Sequence, residues 1–434
     1  MNVQRNRFLT DMLSTLFDRS DRLRGKSDDR DIQDLCRAVL STEGVISGQA
    51  LAAAVFDRYR SLTDAEKHAF FRFMNDELDI DAPALAALAT AYAENQTPEA
   101  FVALSRAAEP KRQELLRRLN QPMGATADIV AMRVDLRRIL KDDAELARTD
   151  HDFVHLLGSW FNRGFLVLKA IDWDTPARIL DKIVAYEAVH QINDLDDLRR
   201  RLYPPDRRCF AFFHPAMPDE PLIFVEVALT EKIPGAVTKL LLEDRTPLEA
   251  EDAKVAVFYS ISNCQKGLSG ISFGNQLIKQ VVSELSIAFP QLQEFVTLSP
   301  IPGLNRWLAT QTQDTDHGHV ATAILEHRAP PDDIRAMAAR YLLTARRDDG
   351  MPLDPVARFH LGNGAQVYDI HAGADTSANG LAQSSGAMVN YLYDLSQTQR
   401  RHEDFALRSV IAAAKSAQAL STAAVSAHPK DTSS

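Results

Sequence analysis

Hydrophobic and polar positions follow a helical period through the first part of the chain. Apolar residues recur there three or four positions apart, and Thr63-Asp64-Ala65-Glu66 precedes one such stretch as a capping box. From about residue 163, short continuous apolar runs typical of buried strands alternate with helical stretches. The pattern predicts an α+β chain, with an N-terminal all-helical bundle over residues 1–162 and a mixed-sheet domain over residues 163–434.

One stretch of the second domain combines a strand, a glycine-rich turn, a helix and another strand. The apolar run Val255–Tyr259 is followed by a loop with three glycines, by a helical pattern from Leu277, and by the apolar run Phe295–Leu298. Such a turn presents backbone N–H groups at the positive end of a helix, where phosphates bind. The loop matches neither Gly-x-Gly-x-x-Gly nor a Walker sequence, so a turn before an ordinary packed helix stays open as the alternative.

The C-terminal part of the chain predicts further elements around the same domain. Asp354 to Leu361 is typical of a helix that Gly362-Asn363-Gly364 ends, and Ala365–Ile370 and Ala387–Leu395 are typical of strands. Residues 373–386 are rich in Gly, Ser and Ala, which predicts a loop. An alanine-rich run, Phe405–Ala427, predicts a single C-terminal helix.

Net charge, cysteine spacing and the terminal sequences argue against several kinds of partner, metal site and compartment. The 434-residue chain has a formal net charge of -10, which argues against a nucleic-acid-binding protein. Cys36, Cys209 and Cys264 are far apart and in no metal-type spacing, which favours a reducing compartment and disfavours a zinc site. Apolar runs too short to span a membrane, an N-terminus without a signal-peptide pattern and a C-terminus without Ser-Lys-Leu lead us to expect a cytoplasmic protein.

The residue that follows the second apolar strand is a serine that could take part in catalysis. Ser299 begins the turn Ser299-Pro300-Ile301-Pro302-Gly303, in which the two prolines lack an N–H. The remaining donors are the N–H groups of Ile301, Gly303 and Leu304, which we expect to point outward at a helix start and to suit an oxyanion. The alternative is a rigid turn in which the serine only caps the helix.

His360 lies near the end of the predicted helix from Asp354 to Leu361. An unperturbed imidazole titrates near pH ~6.5, so it can give or take a proton at neutral pH. A lone histidine beside Phe359 and Leu361 is more often structural, and this alternative stays open. Tyr391 and Tyr393 are two positions apart in a predicted strand, and we expect them to face opposite sides, so that one could enter a site while the other packs.

Several short blocks occur together, in one order, from about residue 160 to 395, and together they resemble the malonyl-CoA decarboxylase family. The blocks are Phe213-His214-Pro215, Asp219-Glu220-Pro221-Leu222, Val227-Ala228-Leu229-Thr230, Phe258-Tyr259-Ser260-Ile261-Ser262, Gln265-Lys266-Gly267-Leu268, Leu298-Ser299-Pro300-Ile301-Pro302-Gly303, the run from Asp354 to Leu361, Asn363-Gly364-Ala365 and Asn390-Tyr391-Leu392-Tyr393.

The resemblance implies a catalytic domain with the acetyltransferase-like GNAT fold, and it assigns roles to residues of this chain. Ser299, His360 and Tyr393 match the family's active-site positions. The residues that would meet the CoA pyrophosphate are Ser269, Gly270, Ile271, Ser272, Phe273, Gly274 and Asn275. The animal members carry glutamate at the position of Ser272 and glutamine at that of Ser269. If that glutamate helps to orient the serine or the histidine, this chain must organise the two side chains differently.

The activity implied is decarboxylation of malonyl-CoA to acetyl-CoA and CO2. The enolate would be held by Ser299 and nearby amides and protonated by His360. No metal or resident cofactor is expected, since CoA is part of the substrate, and the helical domain is expected to form a homodimer or homotetramer. Two alternatives stay open: a GNAT-type acyltransferase and a non-catalytic sensor that binds malonyl-CoA. Whether the protein serves malonate breakdown or fatty-acid regulation also stays open.

Overall fold

The structure, a computed structural model, describes residues 28–271, 277–313 and 317–423. The chain divides into two compact units, Met1–Ser159 and Trp160–Ser434. The sequence pattern places the domain boundary between residues 162 and 163. The predicted α+β class is confirmed, because a helical unit precedes a unit built on a mixed sheet.

The described part of the first unit is helical. Its helices are α1 (Ile32–Ser41), α2 (Val45–Arg60), α3 (Asp64–Asp76), α4 (Ala82–Glu94), α5 (Pro98–Ala107), α6 (Lys111–Leu119), α7 (Ala125–Ile139) and α8 (Ala147–Trp160). The predicted capping box is confirmed, with the Thr63 and Glu66 side chains each bonded to the other's backbone N–H. Leu35, Phe71 and Phe153 are fully buried in the core of this unit.

Helices α4 and α5 form a hairpin that contributes nothing to this core. Neither helix has a buried residue, although α4 is rich in alanine and leucine. The two helices pack on each other, with the rings of Tyr92 and Phe101 6.0 Å apart. Phe101 and Val102 remain 55% and 46% exposed. In a single chain, these apolar side chains of the hairpin are therefore exposed to solvent.

The second unit is built on one eight-stranded sheet in the order β1-β2-β3-β4-β5-β8-β6, with β7 paired to β8. The strands are β1 (Val167–Ile171), β2 (Arg207–Phe213), β3 (Ile223–Thr230), β4 (Val255–Asn263), β5 (Glu294–Thr297), β6 (Ser299–Pro300), β7 (Gln366–His371) and β8 (Met388–Leu392). Neighbouring strands are antiparallel except β4 and β5, which are parallel. Between β3 and β4 the register skips Tyr259, which is a β-bulge.

Helices follow the strands as the sequence pattern predicts. They are α9 (Ala177–Tyr186), α10 (Leu195–Leu202), α11 (Val237–Leu241), α12 (Leu277–Ala288), α13 (Leu304–Gln311), α14 (Gly318–Leu325), α15 (Pro331–Thr344), α16 (Pro355–Gly362), α17 (Ala378–Ser384), α18 (Thr398–Arg408) and α19 (Lys415–Thr422). The apolar positions of α12 that recur at helical spacing are buried, as expected for a helix between parallel strands. None of the helices in the described ranges is long and apolar enough to cross a membrane.

Two predictions for the C-terminal part are wrong. Residues 373–386 are not all loop, because Ser377 caps helix α17. The run from Phe405 is not one helix, because α18 ends at Ser409 with a left-handed φ of 53°. The segment before α19 adds to the sheet instead: Val367 N–H donates to Ala412 O (2.9 Å), and Ala414 N–H to Val367 O (2.8 Å). Tertiary pairing overrides the helix propensity of alanine here, and residues 424–427 lie outside the described part.

Candidate active site

Ser299 follows the end of β5 and begins β6, and β8 pairs with both of these strands. Leu298 N–H still donates to Phe258 O of β4 (3.0 Å), and Ser299 is already paired with Val389 of β8. Pro300 cannot donate to a further ladder, so β6 is only two residues long. The backbone around Ser299 is thus fixed by pairing with β4 and with β8, and the residue is 5% exposed.

His360 is placed by helix α16. Asp354 caps this helix by accepting the Ala357 N–H at Oδ1 (2.8 Å), and Pro355 occupies the first turn. Six residues after the cap, the imidazole projects into the buried face. Its Nε2 lies 3.1 Å from Ser299 Oγ, and its Nδ1 lies 2.9 Å from Tyr393 Oη. The structure brings the three predicted catalytic side chains, Ser299, His360 and Tyr393, into one connected group.

The imidazole of His360 is neutral at neutral pH. It is fully enclosed, and this burial lowers its pKa from 6.5 to about 3. Aromatic rings surround it: Tyr391 stacks on it at a centroid distance of 4.6 Å, and Phe359 meets it edge-on at 5.1 Å. Burial also raises the pKa of Tyr393 well above its usual value. The resting site therefore consists of uncharged hydroxyl and imidazole groups.

The lowered pKa predicts that His360 destabilises the fold in acid. Between about pH 6.5 and 3 the unfolded chain binds a proton on this side chain and the folded chain does not, so the free energy of unfolding falls as the pH falls. From pH 7 to pH 5 the loss is about 2 kcal/mol. Urea unfolding of wild type and His360→Gln at both pH values measures it. The variant should lose about 2 kcal/mol less than wild type, whereas equal losses would contradict a neutral buried imidazole.

Tyr391 and Tyr393 both reach the imidazole. Tyr391 stacks on the ring, and Tyr393 bonds to its Nδ1. The expectation that the two tyrosines face opposite sides is wrong, because residues two apart in a strand face the same side of the sheet. Both tyrosine side chains therefore project from the same face of the sheet as the Ser299 side chain, since Ser299 pairs with Val389 of β8.

Two polar residues of the site were missed by the sequence analysis. Thr297 Oγ1 lies 2.9 Å from Ser299 Oγ, and it accepts the backbone N–H of Tyr391 (3.2 Å). The Nδ2 group of Asn390 donates to the Thr297 carbonyl (2.8 Å). The signal was present for Thr297, since a residue two positions before Ser299 in an extended chain faces the same side. For Asn390 no such local signal exists, because its partner is 93 positions away.

One of the backbone donors expected to serve an oxyanion is used within the protein. Leu304 N–H donates to Ile301 O (3.1 Å), because the turn closes on itself. The expectation of an outward-pointing donor is therefore wrong for Leu304.

Gly303 is required by the close packing of this turn. A Cβ atom on Gly303 would lie 2.0 Å from Tyr341 Oη and 3.7 Å from Asp354 Oδ2, while its φ of -98° is open to any residue. Gly303→Ala should therefore destabilise the protein by about 1–3 kcal/mol through overpacking alone. Removing the clashing hydroxyl with Tyr341→Phe should recover most of that loss. Thermal unfolding of the single and double variants tests this, and an additive double variant would contradict it.

The predicted CoA loop is described only in part. Ser269 and Gly270 are exposed, Gly270 has a φ of 85°, and Ile271 is half-buried. Ser269 N–H donates to Lys266 O (3.3 Å) and Ile271 N–H to Leu268 O (3.0 Å), so these two N–H groups are engaged within the turn. The other predicted residues of the loop, Ser272, Phe273, Gly274 and Asn275, lie outside the described part of the chain.

Within the described ranges, no group of three or more His, Cys, Asp or Glu side chains is arranged to hold a metal ion. Cys36, Cys209 and Cys264 are buried free thiols.

Comparison with known proteins identifies a family for both units. Residues 164–431 match the model of the malonyl-CoA decarboxylase C-terminal domain, and residues 78–161 match that of its N-terminal domain. Mitochondrial malonyl-CoA decarboxylase of Anser anser anser is 36% identical over 330 residues, and that of Mus musculus is 34% identical. Each match covers 67% of this chain, together with 65% of the goose protein and 66% of the mouse protein.

Solved structures extend the match over most of the chain. The malonyl-CoA decarboxylase of Rhodopseudomonas palustris is 46% identical with a TM-score of 0.84, and the match covers 89% of this chain and 98% of that one. The enzyme of Agrobacterium vitis is 47% identical with a TM-score of 0.84, at 90% and 99% coverage. The resemblance drawn from the short blocks is confirmed: the chain belongs to the malonyl-CoA decarboxylase family.

Proposed function

We propose that the protein decarboxylates malonyl-CoA to acetyl-CoA and CO2. One observation carries the proposal: Ser299 Oγ, His360 Nε2, His360 Nδ1 and Tyr393 Oη form a continuous hydrogen-bonded series in a member of this family. Such a series can supply a proton to a carbon atom that has just lost CO2. Ser269, Gly270 and Ile271 are proposed to meet the CoA pyrophosphate ahead of helix α12.

Decarboxylation requires a group that accepts the electron pair of the broken carbon–carbon bond and a source of one proton. When the bond between the α-carbon and the carboxylate breaks, its electrons move into the thioester as an enolate, and CO2 leaves. Ser299 Oγ–H first donates to the enolate and then transfers its proton to the α-carbon. His360 Nε2–H replaces that proton on Ser299, and Tyr393 Oη–H replaces it on His360 Nδ1. As acetyl-CoA departs, the protons shift back along the same series, so that Tyr393 regains its proton from His360 Nδ1 and His360 Nε2 regains its proton from Ser299. Water that enters the emptied site then supplies to Ser299 the one proton that the α-carbon kept.

The neutral state of His360 is compatible with this relay. A thioester enolate is a much stronger base than an alkoxide, so the proton transfer from Ser299 to the α-carbon runs downhill without an imidazolium. The aromatic rings that enclose His360 also keep water from the relay. Ser299 stabilises charge that exists only after the carboxylate bond begins to break, which is where a donor accelerates the reaction.

We propose that no resident cofactor takes part, because the thioester carbonyl of the substrate already accepts the electrons. A reducing compartment such as the cytoplasm is proposed on the three buried free thiols, which form no disulfide in the described structure.

The proposal is tested by incubating the purified protein with malonyl-CoA alone and following CO2 and acetyl-CoA. Decarboxylation predicts equal amounts of both products without any added acceptor. An acyltransferase would consume acyl-CoA only when an amine is supplied, and a sensor would bind malonyl-CoA saturably without product. Either of these outcomes would overturn the proposed activity.

We further propose a homodimer or homotetramer formed through the helical unit. The support is the α4–α5 hairpin, in which no residue is buried although Phe101 and Val102 are apolar. Light scattering should give a mass of two or four times 48.2 kDa, and the double variant Phe101→Glu, Val102→Glu should shift it toward the mass of a single chain. The control is Leu407→Glu, an 80% exposed site in the second unit. A wild-type mass of one chain would contradict this prediction.

A further inference from the structure

The pairing of β8 with the β5–β6 segment is interrupted directly before Ser299. It stops where Val296 lies opposite Leu392, and it resumes where Ser299 lies opposite Val389. Three residues separate the two pairs on each side, so the register is the same before and after the interruption. β5 and β6 therefore follow one another along β8 as one antiparallel strand with a single local break.

The backbone bond that is missing at the break joins Tyr391 to Thr297 in a regular ladder. Tyr393 N–H donates to Phe295 O (2.9 Å). Backbone bonds in an antiparallel ladder recur at every second residue pair, so the next one should run from Tyr391 N–H to Thr297 O. In the structure, Tyr391 N–H donates to Thr297 Oγ1 (3.2 Å), and the Thr297 carbonyl accepts Asn390 Nδ2 (2.8 Å). Two side-chain bonds therefore replace one backbone bond.

The Asn390 side chain is 0% exposed, and its contacts fix the orientation of its amide. Its Nδ2 group lies 2.8 Å from Thr297 O and 3.4 Å from Pro234 O, and both carbonyls can only accept. Its Oδ1 atom therefore faces His371 Nε2 (2.5 Å), and this nitrogen of His371 carries the proton. The bond from His371 keeps the amide from turning over.

We propose that Asn390, oriented by His371, is a positioning residue that holds the Thr297 carbonyl out of the ladder and so places Ser299 Oγ within reach of His360. Without the amide, the buried carbonyl has lost its partner, and the backbone N–H of β8 opposite it is the nearest replacement. Restoring the regular ladder removes the local bend of the strand. Ser299 is two residues further along this strand, so its hydroxyl moves relative to the imidazole.

The displacement affects turnover more than binding, and here the inference rests on the proposed function. The bond between Ser299 and His360 is the first link of the proton relay, and a misplacement of about 1 Å in a reacting group can cost about 100-fold in rate. The CoA part of the substrate is proposed to bind at residues 269–271, away from the break. A loss of positioning should therefore lower kcat and leave KM largely unchanged.

The kinetic test is Asn390→Leu, which keeps the approximate size of the side chain and removes its polar atoms. We expect kcat for malonyl-CoA to fall about 10- to 100-fold, with KM within about threefold of wild type. The matched control is Asn75→Leu in the first unit. Asn75 is also 0% exposed, its Nδ2 donates to Asp76 Oδ1 (2.8 Å), and its Oδ1 accepts Thr149 Oγ1 (3.1 Å). The control should lose stability and keep its kcat, and equal kcat values in the two variants would overturn the proposal.

His371 allows a second test at a position where the side chain is 21% exposed, so that the core is disturbed less. His371→Gln can still donate a hydrogen bond to Asn390 Oδ1, whereas His371→Leu cannot. We expect kcat within about threefold of wild type for His371→Gln and about 5- to 10-fold lower for His371→Leu. His68→Leu, which removes an imidazole bonded to Asp143 (2.7 Å) in the first unit, should leave kcat unchanged. Equal kcat values for the two His371 variants would contradict the proposal.

Crystal structures separate positioning from a general loss of stability, and they require no turnover. In the wild type we expect Asn390 Nδ2 on the Thr297 carbonyl and Tyr391 N–H on the Thr297 hydroxyl. In Asn390→Leu and in His371→Leu, Ser299 Oγ should lie beyond hydrogen-bonding distance of His360 Nε2. Variants in which this bond persists would overturn the inference. If the wild type makes no acetyl-CoA, the proposed function fails, while the distance between these two atoms in the variants still decides the inference.

Discussion

The His360→Gln protein is expected to bind CoA normally and to turn over malonyl-CoA about 100- to 10,000-fold more slowly than wild type. Glutamine can place an amide near the position of Nε2 and keep a hydrogen bond to Ser299, but it cannot pass a proton from Tyr393 to Ser299. The loss should therefore appear in kcat, because the relay acts only after substrate is bound. Steady-state kinetics gives kcat and KM, and calorimetry with acetyl-CoA gives the affinity.

The control for this variant is His214→Gln. His214 is also partly buried, burial lowers its pKa, and its Nε2 lies 3.1 Å from the Trp160 carbonyl oxygen. It belongs to no part of the proposed relay, so its replacement should leave kcat within about threefold of wild type. If His360→Gln retained more than about a tenth of the wild-type kcat, His360 would not be the residue that resupplies the proton.

Replacing Ser299 by alanine should lower kcat about 100- to 1,000-fold, which is the usual effect of removing one preorganised donor at a developing oxyanion. The variant loses both the donor to the enolate and the group that hands the proton to the α-carbon. The Leu304 N–H of the adjoining turn is already bonded to the Ile301 carbonyl, so this donor cannot replace the lost hydroxyl. KM should change little, since the charge appears only during bond breaking. Rapid quench of the acetyl-CoA formed in a single turnover isolates this step.

Ser384→Ala is the matched control, because Ser384 is 1% exposed and its hydroxyl donates to the Ala387 carbonyl (2.7 Å) without contacting the relay. It should lose some stability and keep its activity. A single-turnover rate for Ser299→Ala equal to that of Ser384→Ala would contradict the proposed role of Ser299.

Local signals were enough to place the serine and the histidine on the right elements. Asp354-Pro355 is typical of a helix start, and the helix that follows carries His360 on its buried face. The apolar run before Ser299 predicts a strand that ends in a rigid turn, and β5 with β6 has this form. Both elements form through contacts between residues close in the sequence, which is why the pattern reveals them.

The meeting of these elements could not be predicted from the residues alone. The bond between Ser299 and His360 joins positions 61 apart, and it depends on β8 pairing with both β5 and β6. Only the family resemblance indicated that the two side chains share a site. The C-terminal helix was predicted wrongly for the same reason, since pairing of Ala412 and Ala414 with Val367 of β7 outweighs a local preference for helix.

The position of β8 has a consequence for when the protein becomes active. Leu298 alone separates β5 from β6 in the chain, yet β8 pairs with both of them and begins at Met388. A nascent polypeptide that ends before Met388 contains Ser299 but not β8, the strand that pairs with it. Ser299 therefore cannot adopt its final position on such a chain. Such long-range pairing is slow to form. Chemistry on a CoA thioester would therefore be withheld until almost the whole second unit has been synthesised.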